Sequence, residues 1–320
     1  MKGSPVSKFI GRFIIFIAPV AVIWIYLEIN MGALANNYSA KRAFFEKQLD
    51  SIEIINLGSS QALYSINPSY IHPKAFNLAL LSQTFFYDKR ITLKYIDQMP
   101  KLKMVILPIN YFAFWHQIHD GEEPWRDYYY SYYWGIDYPE THWYDIKKYS
   151  AVFLYEPKNV LGIARNNFKS FLLLNMKPDG WVQVDAIGND TSIADASGLK
   201  RATLHNKLIN PKRTASIVED VSSFIEELKK RNIRVVFILT PVCSTYSKYL
   251  EPAVVASNDS LLKLLEEKYK ISTFNYMNDT SFARTDFFNN DHLNKYGSQK
   301  FSKRIQHDII DPFFRGDSLR

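Results

Sequence analysis

Two segments far apart in the chain carry residue types from which a nucleophilic site can be built. The run Ile52-Glu53-Ile54-Ile55-Asn56-Leu57 ends in Gly58-Ser59-Ser60-Gln61, and near the carboxyl end Asp291-His292-Leu293-Asn294 sets a histidine on a polar turn. A neutral hydroxyl is a poor nucleophile until a base stands within hydrogen-bond reach, and an imidazole is the usual base. The pairing is spatial, so chain order does not govern it. Ser60 as nucleophile and His292 as its base would perform acyl chemistry. Gly58 lets the backbone turn sharply, and the N–H groups of the helix that follows can face a developing anion. The candidate oxyanion donors are the Ser60 N–H, the Ser82 N–H and the Asn110 side-chain amide, each worth roughly 3 kcal/mol by the usual mutational measure.

The elements that must position these groups can be read from apolar patterning. Apolar runs at 52–57, 75–81, 103–107, 233–240 and 272–276 are expected as strands. Between them, 215–230 carries Ile217, Val218, Val221, Phe224, Ile225 and Leu228 on one helical stripe, and 261–269 and 298–310 repeat the pattern. Continuous apolar strands alternating with helices indicate an α/β fold with a parallel sheet covered on both faces. In such sheets ligands bind beyond the carboxyl ends of the strands. Ser60, Asn110 and Pro241 fall at such ends.

The amino terminus predicts a membrane helix. Lys2, Lys8 and Arg12 flank the run from Phe13 to Leu27, which with Phe9 and Ile10 approaches the ~20 residues a span needs. Positive charge on one flank puts the first residues in the cytoplasm and the remainder outside. Ala33-Leu34-Ala35 supports a competing expectation, a cleaved signal peptide. The expected organisation is therefore an anchor at 1–35, a linker or a helix leaving the membrane at 36–50, and an α/β domain at 51–320. An aromatic-rich insertion at about 112–208 breaks the alternation. The net charge of +7 is spread without a basic block, so no nucleic-acid partner is expected. The single Cys243 excludes an internal disulfide framework and a cysteine zinc cluster. His116 and His119 lack a third ligand at typical spacing. No metal or cofactor is expected.

Four segments in order give the chain a resemblance to the SGNH/GDSL hydrolase superfamily. They are Leu57-Gly58-Ser59-Ser60-Gln61, the stretch from Asn77 to Thr84, the stretch from Val105 to Asn110, and Asp291-His292-Leu293-Asn294 with Gly297. The resemblance implies a flavodoxin-like three-layer α/β/α sandwich in which Ser60, not Ser59, is the nucleophile and Asn110 stands in the oxyanion hole. Ser82 falls where that family usually has glycine. The family's acid stands three residues before the histidine, and that position here is Asn289. Asp291, Asp286 and a dyad without a carboxylate remain open. With the anchor, the chain is also similar to D-alanyl-transfer and polysaccharide O-acetyltransferase proteins. That implies an extracytoplasmic serine esterase or O-acyltransferase acting on envelope glycans, with an acylated small molecule or a membrane-bound acyl donor protein as further partner. The alternative is a catalytically weak glycan-binding or scaffolding member of an envelope export complex.

Overall fold

The structure, a computed structural model, describes residues 5–169 and 174–317. They form two compact units, one of Met1–Asn36 with Asp127–Leu173 and one of Asn37–Arg126 with Leu174–Arg320. The expected insertion at 112–208 is therefore divided. Its aromatic middle belongs with the amino-terminal helix, and its two ends belong to the α/β unit.

The first unit contains α1 (Pro5–Gly32), whose central apolar residues are exposed along its length. Its carboxyl end is packed: Met31 and Leu34 join Ala151, Val152, Val160 and Ile163 in one cluster. Much of the aromatic segment is core, because Tyr130 and Trp134 are fully buried and Tyr129, Tyr133 and Tyr138 nearly so. The described helix α1 is long and apolar enough to cross a membrane.

The second unit begins with α2 (Asn37–Glu46), in the stretch expected to be a linker or a helix leaving the membrane. It is instead built into the fold, with Phe45 and the whole of Lys41 buried. The Lys41 ammonium donates to the carbonyls of Asn77 and Gly180. Burial outweighs the pull of Asp179 and drives its pKa well below the usual lysine range.

Five parallel strands follow: β1 (Ile54–Asn56), β2 (Ala75–Asn77), β3 (Met104–Pro108), β4 (Arg234–Leu239) and β5 (Ser272–Asn275). Their order across the sheet is β2-β1-β3-β4-β5, the flavodoxin-like order. The helices α3 (Ser60–Ser65), α4 (Phe85–Tyr95), α5 (Asp195–Asn206), α6 (Thr214–Lys230), α7 (Pro252–Tyr269) and α8 (Lys295–Ile305) complete the unit. Side chains alternate across each strand. Met104, Ile106, Val236 and Ile238 pack with Phe301 and Ile305 of α8 on one face. Val105, Leu107, Val235 and Phe237 point the other way and are equally buried, while α6 packs on β4 and α4 on α6. Burial on both faces is why the strands read as unbroken apolar runs. Beyond β5, a small antiparallel pair, β6 (Phe287–Asn289) and β7 (His292–Leu293), was not visible in the sequence pattern.

Candidate active site

The sheet order reverses between β1 and β3, and the chain leaving β1 at that switch point carries Ser60. Gly58 adopts φ +99°, and a Cβ there would press on the Pro108 ring at 3.3 Å. Its N–H donates to the buried Asp88 carboxylate at 2.9 Å, which also accepts from Gln83 Nε2 at 2.6 Å. Burial lifts the Asp88 carboxyl to about 7, against these two hydrogen bonds. Ser59 then caps α3 in an extended conformation, leaving Ser60 as its first residue. The hydroxyl thus stands at a helix start, beside N–H groups that have no partner within the helix.

His292 comes from the opposite end of the chain. Pairing of β6 with β7 sets Asn289 against His292, and Asn294 caps α8 by accepting from the N–H groups of Tyr296 and Gly297. At Gly297 a Cβ would lie 2.2 Å from the Asp286 carbonyl oxygen, so this tight return admits only glycine. The His292 ring is stacked on Phe288 and met edge-on by Tyr64. Its Nε2 lies 2.8 Å from Ser60 Oγ, and its Nδ1 lies 3.0 Å from Asn289 Oδ1. An amide oxygen can only accept, so Nδ1 carries the proton and the Nε2 lone pair faces the serine hydroxyl.

Asn289 therefore occupies the orienting position, but a carboxylate is close by. Asp291 Oδ1 is 3.3 Å from His292 Nδ1 and accepts from Arg201 Nε at 2.9 Å. Burial pushes the Asp291 carboxyl up, yet His292 in its protonated form and the Arg201 cation more than offset it and hold the group below its ordinary value. His292 is lowered to about 4, first by burial and then by the Arg201 cation, with Asp291 opposing. The imidazole is consequently neutral at neutral pH. Asp286 does not reach the imidazole: it accepts from the Ala283 N–H at 2.9 Å and pairs with Lys300. It serves the loop before β6.

The three expected oxyanion donors are distributed as follows. Among the described residues, neither the Ser60 nor the Ser82 N–H donates to a protein acceptor. Ser82 adopts φ +57°, the left-handed backbone that explains glycine in the resembled family. Its hydroxyl is held by Glu123 at 2.7 Å. The Asn110 amide spends one hydrogen on Ser59 Oγ at 2.9 Å, leaving the second. Ser59, Ser60, Ser82 and Asp291 open into one cleft of about 440 Å³, walled also by His116, Glu123, Arg201 and His205.

Arg201, His205 and His116 were not expected at a site. Arg201 and His205 arrive on α5, whose approach is fixed by Gly198: a Cβ there would sit 1.8 Å from the Thr245 carbonyl oxygen. His205 donates or accepts at Tyr246 Oη, 2.6 Å away, and lies 3.9 Å from Asp291 Oδ2. Burial lowers both His205 and His116 to about 4. Cys243 is buried and its thiol is pushed up to about 12 by that burial, which leaves it inert.

No family model matches the chain, and no curated protein is similar to it. Solved structures that are similar include a protein from Bacteroides fragilis described as a "putative acylhydrolase", 9% identical, covering 86% of this chain and 97% of its own at a TM-score of 0.42. Another is a GDSL-like lipase from Bacteroides thetaiotaomicron, 8% identical, covering 87% of this chain and 100% of its own at a TM-score of 0.39.

Proposed function

We propose that the chain is a serine esterase or O-acyltransferase in which Ser60 attacks an acyl carbonyl with His292 as base. The observation that carries this reading is the 2.8 Å contact between His292 Nε2 and Ser60 Oγ, made by two segments at one end of a parallel sheet. As Ser60 Oγ bonds to the carbonyl carbon, its proton passes to Nε2. The tetrahedral oxyanion is met by the Ser60 and Ser82 N–H groups and the free Asn110 hydrogen. Collapse expels the leaving alcohol, which takes the proton from His292. Water or a second hydroxyl then attacks the acyl-serine by the same steps in reverse.

The cleft suits a substrate with both polar and apolar parts, because His116, Glu123, Arg201, His205 and Asp291 line it beside Phe112, Ile118, Leu204 and Leu208. An acylated envelope glycan is the substrate class we favour, with α1 anchoring the chain and the α/β unit outside the cytoplasm. A membrane-bound protein or a small acyl ester would serve as donor. Transfer and hydrolysis separate when p-nitrophenyl acetate is offered with and without an O-deacetylated oligosaccharide. Acetyl on sugar supports transfer, free acetate alone supports the esterase, and neither product from a folded sample refutes the reading.

A further inference from the structure

The segment His142-Trp-Tyr-Asp-Ile-Lys-Lys-Tyr149 turns large aromatic side chains outward, where a water-facing loop would place polar ones. Trp143 is 79% exposed, and Tyr144 and Tyr149 are each 64% exposed, with Ile146 between them. The turn is nevertheless well ordered by its own bonds. Tyr149 Oη donates to the Trp143 carbonyl at 2.8 Å, and the Tyr144 ring stacks on His142 and meets Trp143 edge-on. Asp145 caps the short turn at Ile146–Lys148 and accepts from Tyr128 Oη at 2.6 Å. Lys148 is paired with Asp137. Asp145 and Lys148 are thus engaged internally, Lys147 lies over the Tyr128 ring at 5.1 Å, and the surface offered is mainly aromatic.

The chain continues directly to a fixed point on α1. Glu28 accepts from Ser150 Oγ and the Ala151 N–H, both at 2.6 Å, and from the Val152 N–H at 3.3 Å. Four residues earlier on α1, the Trp24 ring packs on Phe153 at 4.8 Å. A helix rises about 1.5 Å per residue and hydrocarbon is about 30 Å thick, so a span needs about 20 residues. Counted from the exposed Phe9, the first apolar residue after Lys8, such a span ends at Glu28. Residues 150–153 are therefore tied to α1 where hydrocarbon gives way to headgroups, the depth at which Trp and Tyr are most favoured.

We infer that Trp143, Tyr144, Ile146 and Tyr149 form an interfacial foot that inserts into the headgroup region of the phospholipid bilayer holding α1. The inference rests on α1 being a membrane helix. Its contact is with the apolar-polar boundary of the lipid rather than with lipid charge, so binding is insensitive to salt.

The test uses the full chain in phosphatidylcholine nanodiscs, on a Cys243→Ser background, with an environment-sensitive fluorophore at Ile146→Cys, Phe16→Cys or Lys263→Cys. The label at 16 should be quenched best by nitroxide deep in the acyl chain. The label at 146 should be blue-shifted and quenched best by nitroxide near the headgroup, and the label at 263 should match water. Adding Trp143→Ser and Tyr149→Ser should cut quenching at 146 by about threefold or more, while about 0.5 M salt should leave it unchanged. A quenched label at 16 with a water-like label at 146 overturns the foot and spares the anchor. A water-like label at 16 overturns both.

Discussion

The arrangement around His292 predicts which neighbour stabilises the imidazolium formed when Ser60 gives up its proton. Asn289 holds Nδ1 by a neutral hydrogen bond at 3.0 Å, while the Asp291 carboxylate stands at 3.3 Å. At an effective dielectric constant of about 20, a full charge pair at that distance is worth about 5 kcal/mol. Arg201 shares the same carboxylate oxygen, which we take to cut the net effect roughly in half, to about 2–3 kcal/mol. Asp291→Asn should therefore lower kcat/KM by about a hundredfold. It also leaves the Arg201 cation beside the imidazole without its counter-charge. Asn289→Ala removes a neutral bond worth about 1 kcal/mol and should cost about five- to tenfold. The assay is p-nitrophenyl acetate hydrolysis, with near-ultraviolet circular dichroism confirming that each variant is folded. Asn289→Ala costing more than Asp291→Asn would refute the assignment of the charge to Asp291.

Four further outcomes follow from the same geometry. With His292 held at about 4 by burial, the acid limb of kcat/KM should fall near pH 4, and a limb at pH 6 to 7 would contradict the buried neutral base. Stability should rise between about pH 4 and 6.5. His292, His205 and His116 have depressed folded-state values, so their contribution is complete above 6.5 and lost as pH falls through 4. Asp88, lifted to about 7, works in the opposite sense, and Asp88→Asn should steepen the rise in urea unfolding. Gly198→Ala must move α5 away from Thr245 and should cost about 3 kcal/mol together with most activity. Gly162→Ala, where a Cβ meets nothing within 4 Å, should be neutral or slightly stabilising when both variants are compared in thermal melts. Ser82→Gly relieves left-handed strain that Ser82→Ala retains, so the two should differ by about 1 kcal/mol in stability, and both keep the N–H and hence near-normal activity.

The strands were legible because burial on both faces demands continuous apolar residues, as in Met104–Pro108 and Arg234–Leu239. The ladder itself is shorter than several of those runs: β1 covers only Ile54–Asn56, since the chain bends away at Gly58. Ser60 and His292 could be found because each adjoins a local device, a glycine turn before Ser60 and a capped return after His292. Arg201 and His205 could not. They lie on a helix of weak apolar periodicity, and their charged face looks like a solvated one until Gly198 brings it against Thr245. Asp88 did leave a signal, a lone carboxylate next to Phe85-Phe86-Tyr87. In the 36–50 stretch, Tyr38 and Phe45, seven apart, were a sign of a packed helix rather than a linker. Loss of strand-helix alternation after residue 112 marked an interruption, but nothing local told which part would join α1.

The central claim is that His292 activates the Ser60 hydroxyl, and a fluorophosphonate tests it directly. After incubation of the folded full chain, peptide mass mapping should find one adduct, on Ser60. The adduct should be absent in Ser60→Ala and form at least about a hundredfold more slowly in His292→Ala. Labelling that persists in Ser60→Ala, or that proceeds at the parent rate in His292→Ala, would contradict the account.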